Sequence, residues 1–193
     1  MVTGLAGTLT STSLTSKERK FAATHLKDTK SDVLKSIRNL SEAQLAFKPA
    51  PDKWSIKECI YHVAVSEKNL WHILDGAMKQ PPNSEKRSEI KLVDEQVETM
   101  VEDRTKKIIM TAMLEPKNSA FTTIDEALES FKKQRMDHIK YMKTTTKDLR
   151  NHVTELPIGW VDCYQLCLFI SAHTNRHIQQ IEEIKGDPSF PKQ

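Results

Sequence analysis

Apolar residues along most of this chain recur every three or four positions, which is the spacing of one face of an α-helix. Four long segments carry such a stripe. Each begins with Ser, Thr or Asp followed three residues later by Glu or Gln, the pattern of a capping box at a helix start. The pattern predicts four helices, over residues 15–39, 55–78, 123–146 and 162–185. At about 1.5 Å per residue each would be about 35 Å long, so we predict an all-α fold, a four-helix bundle.

A long connection separates the second and third predicted helices. It covers residues 79–122, where Pro81 and Pro82 end the second helix and an apolar stripe over 92–101 predicts a shorter accessory helix. A connection of this length would let the third helix enter from the far side of the bundle rather than beside the second. The segment SEAQ at 41–44 predicts a helical turn between the first two helices. We expect residues 1–14 to form a disordered polar tail and residues 15–193 to form one domain.

Length and composition narrow the possible functions. A chain of 193 residues buries enough surface to fold without a metal or disulfides, so a metal site would need a functional explanation. The net charge of +3 arises from interspersed charges with no basic stripe, and no apolar run approaches the ~20 residues of a membrane span. Three cysteines are too few for a disulfide framework, and the N-terminus lacks a signal-peptide pattern. We therefore expect a cytoplasmic protein that binds neither nucleic acid nor membranes.

Two histidines interrupt the apolar stripe of the last predicted helix. His173 and His177 are one turn apart, so they lie on the same face and point toward the core. Buried imidazoles are costly unless they are satisfied. Either a shared divalent ion or hydrogen bonds to carbonyl or carboxylate groups would satisfy them. The other members of the stripe are Leu166, Ile170, Ile181 and Ile184.

A third ligand would have to come from another helix. His62 is the best candidate because it lies about two turns into the second helix, beside residues predicted to point inward. The alternative is a core or boundary histidine with ordinary hydrogen bonds. The other four histidines offer weaker signals: we place His25, His72 and His138 at helix boundaries or surfaces and His152 in a connection.

Other reactive side chains have simpler interpretations. Cys163 and Cys167 are one turn apart, but Cys167 is six residues from His173, a rise of about 9 Å, which is too far for both to bind one ion. We interpret these two as buried small apolar residues. Cys59 is expected to pack against Trp54 in a hydrophobic staple. Beyond the candidate metal ligands, the sequence identifies no catalytic residue.

Two polar residues near the candidate ligands also have alternative interpretations. Glu58 lies one turn before His62 and could act as a general base, but its place in a capping box is the simpler interpretation. Arg176 would be a solvated arginine or would pair with an anionic substrate at the rim of the site.

Two long strings resemble a known family. These are LSEAQLAFKPAPDKWSIKECIYHVAVSE and YQLCLFISAHTNRHIQQIEEIK. Together they are similar to the DinB/YfiT-like superfamily of bacterial metal-binding four-helix bundles, and the likeness extends from residue 15 to 185. It includes DRTKK at 103–107 and the opening IDEALESFKKQR of the third helix. By this resemblance, His62, His173 and His177 form the three-histidine metal site of the family.

The resemblance also carries functional expectations. It implies a divalent-metal-dependent enzyme acting on a small molecule, either a hydrolase or a thiol-dependent S-transferase. The ion would be Zn²⁺, Ni²⁺ or Fe²⁺, and a low-molecular-weight thiol such as bacillithiol or mycothiol would be the cosubstrate of a transferase. The alternative is a non-catalytic metal-binding or stress-related binding module with the same site. The resemblance further implies a homodimer.

Overall fold

The computed structural model describes residues 14–106 and 115–192, which fold into helices and one β-hairpin. The helices are α1 (Ser16–Ser36), α2 (Glu42–Ala46), α3 (Ile56–Met78), α4 (Asp94–Glu102), α5 (Ile124–Thr144) and α6 (Cys163–Lys185). The hairpin strands are β1 (Val153–Leu156) and β2 (Gly159–Asp162). Short 3₁₀ helices occur at Ser84–Glu89 and Pro116–Asn118.

The long helices begin where the capping boxes predicted. At Thr15, Ser55, Thr123 and Asp162 the side chain accepts a hydrogen bond from the backbone N–H three residues later. The Glu or Gln at that later position in turn accepts from the N-cap N–H, so two otherwise unpaired donors are satisfied at each start. The predicted ends of α3 and α6, at residues 78 and 185, are also confirmed, whereas α1 and α5 end earlier than predicted. Helix α1 ends at Ser36 rather than residue 39 because Ile37 leaves the helical conformation and Asn39 adopts a positive φ of 60°.

Four of the helices form the predicted bundle. Helices α1 and α3 each pack against both α5 and α6. We expected the third bundle helix, α5, to enter from the far side of the bundle rather than beside the second, α3. This expectation is wrong, because α5 packs directly against α3. The long connection instead carries the accessory helix α4 onto α6, where Val97 and Val101 become fully buried. Burial of these apolar side chains gives α4 a fixed position in the fold.

The hairpin was not predicted. It pairs Val153 with Asp162 and Leu156 with Gly159, leaving a two-residue loop that contains Pro157. The segment does carry a turn signal, since Pro at the second turn position and Gly at the fourth are typical of a type I turn. The strands are only four residues long, and the expectation of a plain connection at this point is corrected by the structure.

A partly buried arginine fixes the start of α6. Arg150 lies 3.0 Å from Asp162, the N-cap of α6, and 2.7 Å from Asp94 in the first turn of α4. It also pairs with Glu18 in the first turn of α1. Acidic groups are favourable at helix N-termini, and one cation shared by three of them holds the three helix starts together.

Leu14, which the sequence assigned to the polar tail, belongs to the folded domain. Leu14 is 5% exposed and packs in the apolar core. The rest of the expected polar tail, residues 1–13, lies outside the described residues. Within the described ranges, no helix combines the length and hydropathy that crossing a bilayer requires.

Candidate metal site

The structure brings the three predicted histidines together. Helix α3 supplies His62, and the facing helix α6 supplies His173 and His177. Nε2 of His173 lies 3.2 Å from Nε2 of His62 and 3.3 Å from Nε2 of His177. Ligand atoms of all three lie within 4.8 Å of one another. His62 and His177 are buried and His173 is partly buried, as their places on the apolar faces predicted.

The spacing of these nitrogens fits a shared metal ion. Tetrahedral ligands at about 2.0–2.1 Å from an ion are about 3.3–3.4 Å apart, close to the observed separations. Hydrogen bonds among the three rings leave one of the close Nε2 contacts unpaired, although Oγ of Ser66 also lies 3.3 Å from Nε2 of His62. Each ring nitrogen carries either one N–H or one lone pair, yet Nε2 of His173 faces two other Nε2 atoms. One ion between them would satisfy all three lone pairs.

Burial keeps His173 and His177 neutral, which is the metal-binding form of an imidazole. Burial lowers the pKa of His173 well below its ordinary value, and His62 and Arg176 lower it further. Burial likewise lowers the pKa of His177 well below its ordinary value, with added contributions from His173 and His62. Protons therefore compete weakly with a cation for these two side chains.

Aromatic rings and one amide orient the histidines. Trp54 stacks on His177 with ring centroids 5.9 Å apart and lies 5.0 Å from the ring of His62. Nδ1 of His177 lies 3.0 Å from Oε1 of Gln180. The sequence predicted Trp54 only as a staple with Cys59, and both residues do belong to one apolar cluster. Gln180 was missed, although its position three residues after His177 places it on the same side of α6.

The residues considered as alternative ligands or bases have structural roles. Glu58 completes the capping box of α3 and pairs with Lys48 at 2.7 Å. Cys59, Cys163 and Cys167 are buried and free. Burial, together with Asp162, raises the pKa of Cys163 to about 12. Among the described residues, the cluster that could bind a metal ion contains three histidines and no cysteine.

Arg176 occupies neither of its expected positions. Its side chain is buried, and its guanidinium donates to the carbonyl oxygens of Val101, Asp103 and Lys106, at 3.1, 2.5 and 2.6 Å. The C-terminal end of a helix leaves unpaired carbonyls that favour a cation. Arg176 therefore holds the end of α4 and the residues after it against α6, and it is not a free anion-binding group.

A buried polar network beside the site was also missed. Glu67 is 2% exposed and Arg135 is fully buried, and they form a two-pronged ion pair at 2.7 and 2.6 Å. Arg135 also donates to Thr29 and Thr174, each at 2.7 Å. His138 lies 2.7 Å from Glu67 and is buried, so its expected place at a boundary or surface is wrong. The network links α1, α3, α5 and α6, and each polar group is satisfied by a partner on another helix.

The remaining histidines lie away from the cluster. His72 is exposed on α3, as predicted. His25 is partly exposed and lies 2.7 Å from Glu98 on α4. His152 is buried, with its ring nitrogens 2.6 Å from the carbonyl of Asp148 and 3.2 Å from that of Gln80.

Comparison with known proteins shows which family this chain resembles in sequence. The sequence model of the DinB superfamily matches residues 25–181, a range that includes all three histidines. The uncharacterized protein YuaE of Bacillus subtilis (strain 168) is 26% identical over 155 residues, which cover 77% of this chain and 88% of that protein.

A solved structure shows the same fold. YfiT from Bacillus subtilis, described as a probable metal-dependent hydrolase with an unusual four-helix bundle topology, matches with a TM-score of 0.63 at 12% identity. The match covers 93% of this chain and 92% of that one. On the family match over most of its length, this chain belongs to the DinB superfamily.

Proposed function

We propose that this chain is a divalent-metal-dependent enzyme that acts on a small molecule and holds its ion on His62, His173 and His177. The observation that carries the proposal is the convergence of three Nε2 atoms, from two helices, at the spacing of metal ligands. Sites with three protein ligands keep a coordination position for water or substrate, which is typical of catalytic rather than structural metals. A bundle of this size also needs no metal to fold.

The bound ion would act as a Lewis acid that makes water or a thiol nucleophilic at neutral pH. Zn²⁺, Ni²⁺ and Fe²⁺ all suit imidazole ligands. The contribution of the chain is to keep His173 and His177 neutral and to hold the imidazole rings in place. Trp54 and Phe169 support this role because they stack on His177 and His173, at 5.9 and 6.1 Å between ring centroids.

The cysteines of the chain do not supply the nucleophile. All three are buried, and burial raises the pKa of each thiol, so none of them is a ready thiolate. Water as the nucleophile gives a hydrolase, in agreement with the description of YfiT. A low-molecular-weight thiol as the nucleophile gives an S-transferase. The two reactions share one site and differ in the cosubstrate.

Metal content tests the site. We would purify the parent, His177→Ala and His72→Ala without chelator, and measure bound metal by plasma mass spectrometry before and after loading with Zn²⁺, Ni²⁺ or Fe²⁺. His72 is the matched control because it is an exposed histidine on α3. We expect about one ion per chain in the parent and in His72→Ala, and much less in His177→Ala. A parent that binds no ion under any condition would contradict the proposal.

Activity tests the reaction. The metal-loaded and metal-free parent would be assayed with a panel of ester and amide substrates in water, and with electrophiles in the presence of low-molecular-weight thiols. Metal-dependent turnover in water alone indicates a hydrolase, and turnover that requires the thiol indicates an S-transferase. Stoichiometric metal without turnover in either assay would favour the non-catalytic binding module.

A further inference from the structure

The hydrogen bond between His177 and Gln180 determines which nitrogen of His177 carries a proton. Oε1 of Gln180 is an amide oxygen, which only accepts hydrogen bonds, and it lies 3.0 Å from Nδ1. Nδ1 of His177 therefore donates its proton. A neutral imidazole has a single N–H, so the lone pair lies on Nε2, the nitrogen that faces His173 at 3.3 Å.

The ring of His177 is restrained in two independent ways. Trp54 lies against it with an interplanar angle of 18°, and this stacking fixes the plane of the ring. Stacking does not distinguish the two nitrogens, because either tautomer presents the same flat face. The amide of Gln180 supplies that distinction and also opposes rotation of the ring about its own axis.

We infer that Gln180 is a positioning residue for the metal site, holding His177 in the tautomer whose Nε2 binds the ion. The inference rests on the proposed metal site and extends it to a residue that does not itself touch the ion. Partners of this kind raise metal affinity by orienting the ligand and by making it more basic. An amide is a weaker acceptor than a carboxylate, so Gln180 orients the ring while leaving more of the positive charge on the ion.

The test uses three variants of the full chain. Gln180→Leu keeps the approximate size but removes the acceptor, and Gln180→Glu keeps an acceptor oxygen. Gln179→Leu is the matched control: it removes the same kind of side chain one residue away, where Gln179 contacts the carbonyl of Glu102 instead of a histidine. Gln180 is only partly buried, so the variants are expected to fold, which circular dichroism would verify.

Two readouts are compared in each variant. In the metal-free protein, ¹⁵N NMR of the imidazoles reports which nitrogen of His177 is protonated. In a competition titration with a chromogenic chelator, the same samples give the Kd for Zn²⁺. We expect the parent, Gln179→Leu and Gln180→Glu to show Nδ1–H, and Gln180→Leu to lose that preference. We also expect Gln180→Leu to raise the Kd about 10–100-fold, with Gln180→Glu binding at least as tightly as the parent.

Two results would overturn the inference. One is a Gln180→Leu protein that keeps the Nδ1–H form and the parent Kd, and the other is an equal loss of affinity in Gln179→Leu. Failure of the metal site itself looks different, because the parent would then bind no Zn²⁺. In that case the tautomer of His177 in the metal-free proteins still decides whether Gln180 positions the ring.

Discussion

Replacing Arg135 with methionine tests how the buried network stabilises the bundle. Arg135 is fully buried and makes two hydrogen bonds to the carboxylate of Glu67, at 2.7 and 2.6 Å. Methionine fills similar space without the charge, so the variant leaves a carboxylate that is 2% exposed without its cation. Removing one partner of a buried ion pair costs about 3–5 kcal/mol, a large fraction of the roughly 5–15 kcal/mol that stabilises a typical domain.

The pH dependence of this loss follows from the pKa of Glu67. Burial alone would raise that pKa, but Arg135 and the hydrogen bond with His138 outweigh burial and lower it. In the parent, Glu67 therefore contributes stability above its unfolded pKa of about 4.3, and this stability is lost as the pH falls through the lower folded value. In Arg135→Met the folded pKa rises above the unfolded one, so protonation favours the folded state. The deficit should therefore grow with pH, and it should be clearly larger at about pH 8 than at about pH 5.

Urea unfolding followed by circular dichroism, at a series of pH values, measures the deficit. The matched control is the double variant Arg135→Met/Glu67→Gln, which removes the unpaired charge but keeps an acceptor for His138. We expect the double variant to recover at least about half of the lost stability at neutral pH. A loss below about 1 kcal/mol in Arg135→Met, or no recovery in the double variant, would refute the view that an unpaired buried carboxylate causes the destabilisation.

Two further predictions concern stability. Gly76 lies in α3, and the position that an alanine Cβ would take there has no neighbouring atom within 4 Å. Gly76→Ala should therefore raise the free energy of unfolding, measured in urea titrations, by about 0.5–1 kcal/mol. A lower free energy of unfolding would contradict this prediction and indicate a steric clash. Because the pKa of His173 is lowered in the folded state, the unfolded state binds the proton first as the pH falls below about 6.5. The free energy of unfolding of the metal-free protein should therefore fall by up to about 1.4 kcal/mol per pH unit from this group. In urea titrations His173→Asn should show a shallower dependence on pH over the same range, and an unchanged dependence would contradict the prediction.

The sequence alone determined where the main helices start and which faces they bury. Capping boxes and apolar stripes are local signals, because the groups they satisfy lie within one or two turns. The pair His173 and His177 was visible for the same reason, since residues four apart on a helix share a face. His62 was predicted as the third ligand from its inward position and from the resemblance to the family.

Only the tertiary structure decided how those faces meet. Arg135 and Glu67 are 68 positions apart, and nothing local distinguishes them from solvated charges until α3 and α5 pack together. The prediction for Arg176 was wrong because its hydrogen-bond acceptors are carbonyls at the end of α4 and just after it, 70 or more positions away in the chain. The convergence of three Nε2 atoms likewise depends on the packing of α3 against α6, because ligand spacing is a distance between helices that no repeat within one helix encodes.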